Sequence, residues 1–343
     1  MSINEYLIES TEHLLHNYEC HADQFRQILV HDVSFEERQR RAVAFVGEVF
    51  KAHGKETLLS YLAELARVEH GIQELQPRQR DHVVHAVRVF LLGIHLNDVL
   101  LHGTVTPLQW KVAGLTHDVG YPVEIASRVA DPLGRALNSM ADRIESDIPR
   151  VRRAGPRLEN LDLLTHGVSG IAVIQECLSG WHIDVNAADA YREGTDSDRV
   201  CHGVVGAMAV LRVIDMLYSK SNPDREFRRI VIANVDWNQQ WFIEENVPAC
   251  AAIFLHNLNA RWFHATRVDR RLAPVAFLLR LADSLQEWDR PSGDDADGVS
   301  PNAFRLEMAD GKLSFRAEVE EKRKEDLRKV LTGTLVADDV IVL

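Results

Sequence analysis

The residues best suited to chemistry in this 343-residue chain are two neighbours, His117 and Asp118, in the segment Leu115-Thr116-His117-Asp118-Val119-Gly120-Tyr121-Pro122. They fall in the last turn of an otherwise apolar helical stretch, just before a Gly/Pro stop. Adjacent residues on a helix point about 100° apart. One can therefore hold a metal ion while its neighbour, a carboxylate with two oxygens, bridges to a second. Two more polar residues sit in equally apolar surroundings: His85, in His85-Ala86-Val87-Arg88-Val89, and Asp283, at the end of Phe277-Leu278-Leu279-Arg280-Leu281-Ala282-Asp283. An unpaired buried carboxylate is costly, so Asp118 and Asp283 call for a metal or a strong partner.

Helices must position these groups. A capping-box pattern at Ser34-Phe35-Glu36-Glu37 opens a helix running to about Gly54. Leu58, Leu59, Leu62, Leu65 and Ala66 recur at helical spacing, and Gln76-Pro77 marks a boundary. A long helix is predicted from about 78 to 101, broken by His102-Gly103-Thr104. Thr106-Pro107 then caps a shorter one that ends at Gly120-Tyr121-Pro122. Residues 131–200 are less regular and carry Arg150, Arg152, Arg153 and Arg157. Helical texture returns in 201–219, 248–262 and 274–290. After the polar linker at 293–298, FRLEMADGKLSFRAEV reads as a hairpin about Asp310-Gly311, followed by a charged helix (320–331) and a strand (340–342). No repeat period is evident. The predicted fold is mainly α, in three parts: an N-terminal helical extension (1–76), a central helical domain (77–292) and a linker with a small α+β tail (293–343).

A His on one helix, a His-Asp doublet ending the next and a late Asp after an apolar helix resemble the HD-domain metal-dependent phosphohydrolases over roughly 78–290. The resemblance implies an HD-type helical bundle in which His85, His117, Asp118 and Asp283 hold a first divalent metal. His202, in Cys201-His202-Gly203-Val204-Val205-Gly206, and His256, in Phe254-Leu255-His256-Asn257, would complete a second site bridged by Asp118. Imidazole and carboxylate ligands suit Mn, Fe, Co, Ni or Zn, with Mg also allowed. The implied activity is hydrolysis, by a metal-activated water, of a phosphoester or phosphoanhydride in a nucleotide or related small phosphorylated molecule.

Other residues compete for supporting roles. His166, in Thr165-His166-Gly167-Val168-Ser169-Gly170, repeats the His-Gly-x-x-Gly spacing of His202. His82 lies one turn before His85 on the same face. Either is a candidate to protonate the leaving group. Arg88 and Arg280, one turn from His85 and Asp283, could meet substrate phosphate or pair with carboxylates. The arginines of 150–157 read as a solvated loop more readily than as a phosphate clamp. His31-Asp32 is a chance doublet, because too little chain precedes it to supply the upstream His.

The departures narrow the branch. Val119-Gly120-Tyr121 follows the doublet where an x-Gly-Lys is familiar, and Asn257 stands where the cyclic-dinucleotide phosphodiesterases have a second His. These argue against a cyclic-di-GMP substrate and a third metal.

Composition excludes several classes. The chain is 46% hydrophobic and 26% charged, which is globular. Its net charge of −12 divides into −6 over 1–76, −2 over 77–292 and −4 over 293–343, which opposes binding along a nucleic-acid backbone. Four scattered cysteines form no CxxC pair or disulfide framework. No apolar run of about 20 residues and no signal-like N-terminus is present, so the expected location is cytoplasmic, away from membranes. The rival readings are a cyclic-nucleotide phosphodiesterase or nuclease on the same fold, and a nucleotide-binding sensor or scaffold without turnover.

Overall fold

The computed structural model describes residues 1–51, 81–127, 158, 160–195, 200–221, 230–232, 235–237, 239–264, 266–289 and 299–343. It is mainly helical, with a small sheet towards the C-terminal end. The leucine run at 58–66, both expected part boundaries, the arginines of 150–157 and the 293–298 linker lie outside these residues.

Three helices lead the chain: α1 (Ile3–Thr11), α2 (Ala22–Leu29) and α3 (Phe35–Lys51). Ser34 caps α3 as its spacing predicts, accepting from the Glu37 N–H at 3.2 Å. Only half of the expected box forms. The Glu37 carboxylate turns instead to Arg40 and Arg41, whose hydrogen bonds pull its pKa down to about 2. α2 and α3 are seated through rings on the helix that follows among the described residues: Phe25 meets Phe45 edge-on at 4.9 Å, and Phe45 meets Phe90 at a tilt at 6.3 Å.

That helix, α4 (His82–Val99), is buried along almost its whole length. It is apolar on every side because other helices surround it: α1, α3, α5 (Pro107–Thr116) and α10 (Pro274–Leu285). Asp81 caps α4 by accepting from the Val84 N–H, and Thr106 caps α5 by accepting from the Gln109 N–H. The Gly-Tyr-Pro segment does not end helical structure. A turn at 117–120 separates α5 from a further helical stretch over 121–127.

Among the described residues, the irregular middle contains two α-helices that periodicity does not announce, α6 (Gly170–Gly180) and α7 (Ala187–Thr195). α8 (His202–Ser221) and α9 (Val247–His256) follow, with a short antiparallel pair, β1 (Ile230–Ile232) and β2 (Val235–Trp237), between them. Residues His202–Ser219 are apolar and long enough to cross a membrane, yet two-thirds of that stretch (67%) is packed inside the protein. α10 stops at Leu285, short of the predicted 290, and this early stop matters below.

The tail is as predicted. β3 (Phe304–Ala309) and β4 (Lys312–Ala317) pair antiparallel about Asp310 and Gly311, both at positive φ as a tight hairpin turn requires. α11 (Glu321–Thr334) then crosses over so that β5 (Val340–Val342) lies parallel to β4.

Candidate metal centre

Five helices bring their ends to one point. His85 lies in the first turn of α4, His117 directly follows α5 and Asp118 is the next residue. His202 is the first residue of α8, His256 the last of α9, and Asp283 is in the last turn of α10. All six residues that the sequence singles out as ligands meet here.

Asp118 stands between two histidine pairs. Its Oδ2 is 3.5 Å from His117 Nε2 and 3.8 Å from His85 Nε2. Its Oδ1 is 3.3 Å from His202 Nε2 and 3.6 Å from His256 Nε2. Asp283 joins the first pair only, with Oδ1 2.9 Å from His85 Nε2 and 3.9 Å from His117 Nε2. Two groups result, each able to hold a metal ion: His85, His117 and Asp118, and Asp118, His202 and His256.

The donor chemistry fits metal. Each imidazole turns Nδ1 to an oxygen acceptor: His85 to Gln286 Oε1, His117 to the Gly114 carbonyl at 3.0 Å, His256 to the Ile253 carbonyl at 2.6 Å, and His202 to Glu124 Oε2 at 2.6 Å. A ring that donates through Nδ1 keeps its lone pair on Nε2. Yet the Nε2 atoms face one another, His85 to His117 at 3.2 Å and His202 to His256 at 3.2 Å. Facing lone pairs repel unless a cation or a proton lies between them.

The electrostatics agree. Burial alone would raise the pKa of Asp118, but His117, His202 and His256 together hold it well below the usual range. Burial lowers the pKa of His117, against Asp118 and Asp283. At His202 burial also acts downward, but hydrogen bonds to Asp118 and Glu124 overcome it and lift the pKa to about 10.

Glycines permit the approach of α8. A Cβ on Gly120 would lie 2.1 Å from the His202 carbonyl oxygen, and one on Gly203 would lie 2.8 Å from the His256 ring. Neither position has room for a side chain.

Among the remaining sequence candidates, His82 is close by: its ring stacks on Tyr121 at 3.6 Å, and Tyr121 in turn sets its edge towards His202 at 5.5 Å. The turn carrying His166 lies elsewhere. The Thr165 N–H donates to Asp215 Oδ2, and Asp215 is thirteen residues along α8 from His202, about 20 Å at 1.5 Å per residue. The shared His-Gly-x-x-Gly spacing therefore does not bring residue 166 to the centre; its side chain lies outside the described residues. Both arginines are engaged in the framework. Arg88 pairs with Asp289 at 2.7 Å. Arg280 donates to the carbonyls of Leu255, His256 and Leu258 and to Thr334 Oγ1, and its guanidinium lies over Phe263. Of the two roles the sequence left open for Arg88, pairing with a carboxylate is the one these contacts display.

Compared with protein-family models, curated proteins and solved structures, the chain matches none. Its chemistry is therefore read from its own geometry.

Sequence reasoning passes over Glu124, Gln286 and Tyr121. Gln286 reaches His85 because α10 ends one residue before it, and its Nε2 also donates to the Trp288 carbonyl at 2.7 Å. Glu124 accepts from both the backbone N–H and Nδ1 of His202. The available signal was an acid one and a half turns beyond Asp118 in a stretch otherwise lacking charge.

Proposed function

We propose that the chain is an HD-type helical bundle acting as a metal-dependent phosphohydrolase on a nucleotide or a related small phosphorylated molecule. The observation that supports this most is the double-facing carboxylate of Asp118, with Oδ2 towards His85 and His117 and Oδ1 towards His202 and His256. His85, His117, Asp118 and Asp283 would hold one divalent cation, and His202, His256 and Asp118 a second. The N/O ligand set suits Mn, Fe, Co, Ni or Zn, and Mg is also allowed. When bound, such a pair supplies Lewis-acid polarisation of a phosphoryl oxygen and brings the pKa of a water towards neutrality.

The protein's own groups prepare that chemistry. Four Nδ1 acceptors fix the imidazole planes and tautomers, so little reorganisation is needed at reaction. Asp118 remains ionised in spite of its burial because three histidines surround it. Asp283 and His202 are the most exposed of the six, at 26% and 13% of their side chains, so substrate approaches past them. His82, held against Tyr121 beside His202, is the candidate to pass a proton to the leaving oxygen.

Elemental analysis of the purified chain, followed by hydrolysis assays on mono-, di-, tri- and cyclic nucleotides with Mn, Co, Ni and Mg, tests the reading. We expect about two metals per chain and one preferred nucleotide class, as a shared-carboxylate site requires. Absence of both metal and turnover overturns it; a nucleotide retained without turnover would mark a sensor.

A further inference from the structure

At the ends remote from the histidines, α8 and α9 help enclose a cavity of about 350 Å³. Its floor is Leu164, Asp215, Tyr218, Phe242 and Val247, all buried, while Val168 and Ile243 stand exposed at its rim. Such a volume with mostly apolar walls and a few polar groups is the usual form of a small-molecule site.

Asp215 is the unusual member. It is 4% exposed, and among the described residues its hydrogen-bond partner is the Thr165 N–H, at 2.6 Å. A carboxylate has about four acceptor positions, and a buried one that uses so few is costly. Glu176 adds a second acid at the wall, and among the described residues no Lys or Arg lines the cavity. Tyr218 and Phe242 stack at 5.8 Å, offering aromatic surface beside the acid. Phe242 opens a π-helical turn, Phe242–Asn246, that sets both Phe242 and Ile243 on the cavity; turns of this kind are rare and cluster at functional sites.

We propose that this cavity binds a small organic amine with an apolar arm. The ammonium group donates to Asp215, and the arm lies against Tyr218, Phe242 and Leu164. An anion is disfavoured beside Asp215, and a neutral molecule offers that carboxylate no charge-assisted hydrogen bond. The site does not depend on the histidine centre, and its failure would leave the hydrolase reading untouched.

Calorimetric titration of the full chain with phenethylamine and with phenethyl alcohol, equal in shape and different in charge, tests the proposal. The amine should bind at least about tenfold tighter, the margin of one charge-assisted hydrogen bond. Asp215→Asn should remove that margin and leave the alcohol unchanged. Val168→Trp, at the exposed rim, should block both and leaves Asp215 in place should the first variant fail to fold. Equal binding of amine and alcohol, no saturable binding of either, or undiminished binding to Val168→Trp overturns the proposal.

Discussion

The two halves of the centre use the same side chains in different surroundings. In the first, His85 and His117 are sealed from solvent, and their Nδ1 atoms meet neutral acceptors, an amide oxygen and a backbone carbonyl. In the second, His256 is equally sealed and also meets a carbonyl, but His202 is 13% exposed and meets a carboxylate. The Nδ1 acceptors of the first half carry no charge, while Asp283 adds a carboxylate beside its Nε2 atoms. In the second half the Glu124 carboxylate makes His202 a stronger electron donor, and His202 is also the ring where a proton competes with the ion.

Asp118→Ala should have the largest effect, because it is the group that the halves share. Both metals should be lost in elemental analysis, with hydrolysis falling by about 10³-fold or more, the scale on which groups acting as a unit fail. Full metal occupancy with retained turnover would dissolve the comparison altogether.

His117→Ala and His202→Ala should each reduce the metal content from two to one, but not at equal cost in stability. The His117 side chain is fully buried, and its removal leaves a cavity costing about 2 kcal/mol or more. His202 is partly exposed and should cost less. Equal melting temperatures for the two variants would erase that difference.

Proton release separates the halves next. In the metal-free chain the His202 pKa is about 10, above its ordinary 6.5, so the ring is charged at neutral pH. The stability this contributes is fully present below pH 6.5 and is lost as pH rises through about 10. Metal must displace that proton, so affinity at this half rises with pH. Calorimetry in buffers of different ionisation enthalpy should find close to one proton released in the wild type and that release absent in His202→Ala. Release from His117 instead, whose pKa burial lowers, would reverse the assignment.

The smallest expected effect comes from the Nδ1 acceptors. Glu124→Gln should weaken metal binding at the second half alone, by about 10–100-fold, and Gln286→Met should act on the first half at the low end of that range. Competition with a chelating dye resolves the two sites. An equal effect of both variants on both sites would mean that the acceptors do not act locally.

Much of this was legible in the sequence, and for a physical reason. A polar residue inside an apolar helix is costly, so His85, His117, Asp118, His202, His256 and Asp283 stand out by contrast with their neighbours, and the structure gathers them. The Asp310-Gly311 hairpin was legible because its turn needs positive φ at both positions. Glu124 and Gln286 were not: Glu124 sits in a helical stretch, 121–127 among the described residues, too short to show periodicity, and Gln286 lies just beyond the end of α10. Arg88 and Arg280 stood out through the same contrast that found the ligands, with a phosphate role and a pairing role both left open. A buried cation stands out as strongly as a buried ligand, but Arg88 pairs with Asp289 and Arg280 binds a set of backbone carbonyls. His166 misled through spacing alone, since a repeated five-residue pattern says nothing about which end of α8 it adjoins.

Arg280 also links parts of the molecule that look separate. The guanidinium that binds the carbonyls ending α9, including that of His256, also takes the hydroxyl of Thr334 in α11. The tail is therefore tied to the second half of the centre through one side chain, like a stay holding a mast. Cutting or loosening the chain from α11 onward would slacken that stay, and the slack would emerge at His256 instead of at the cut.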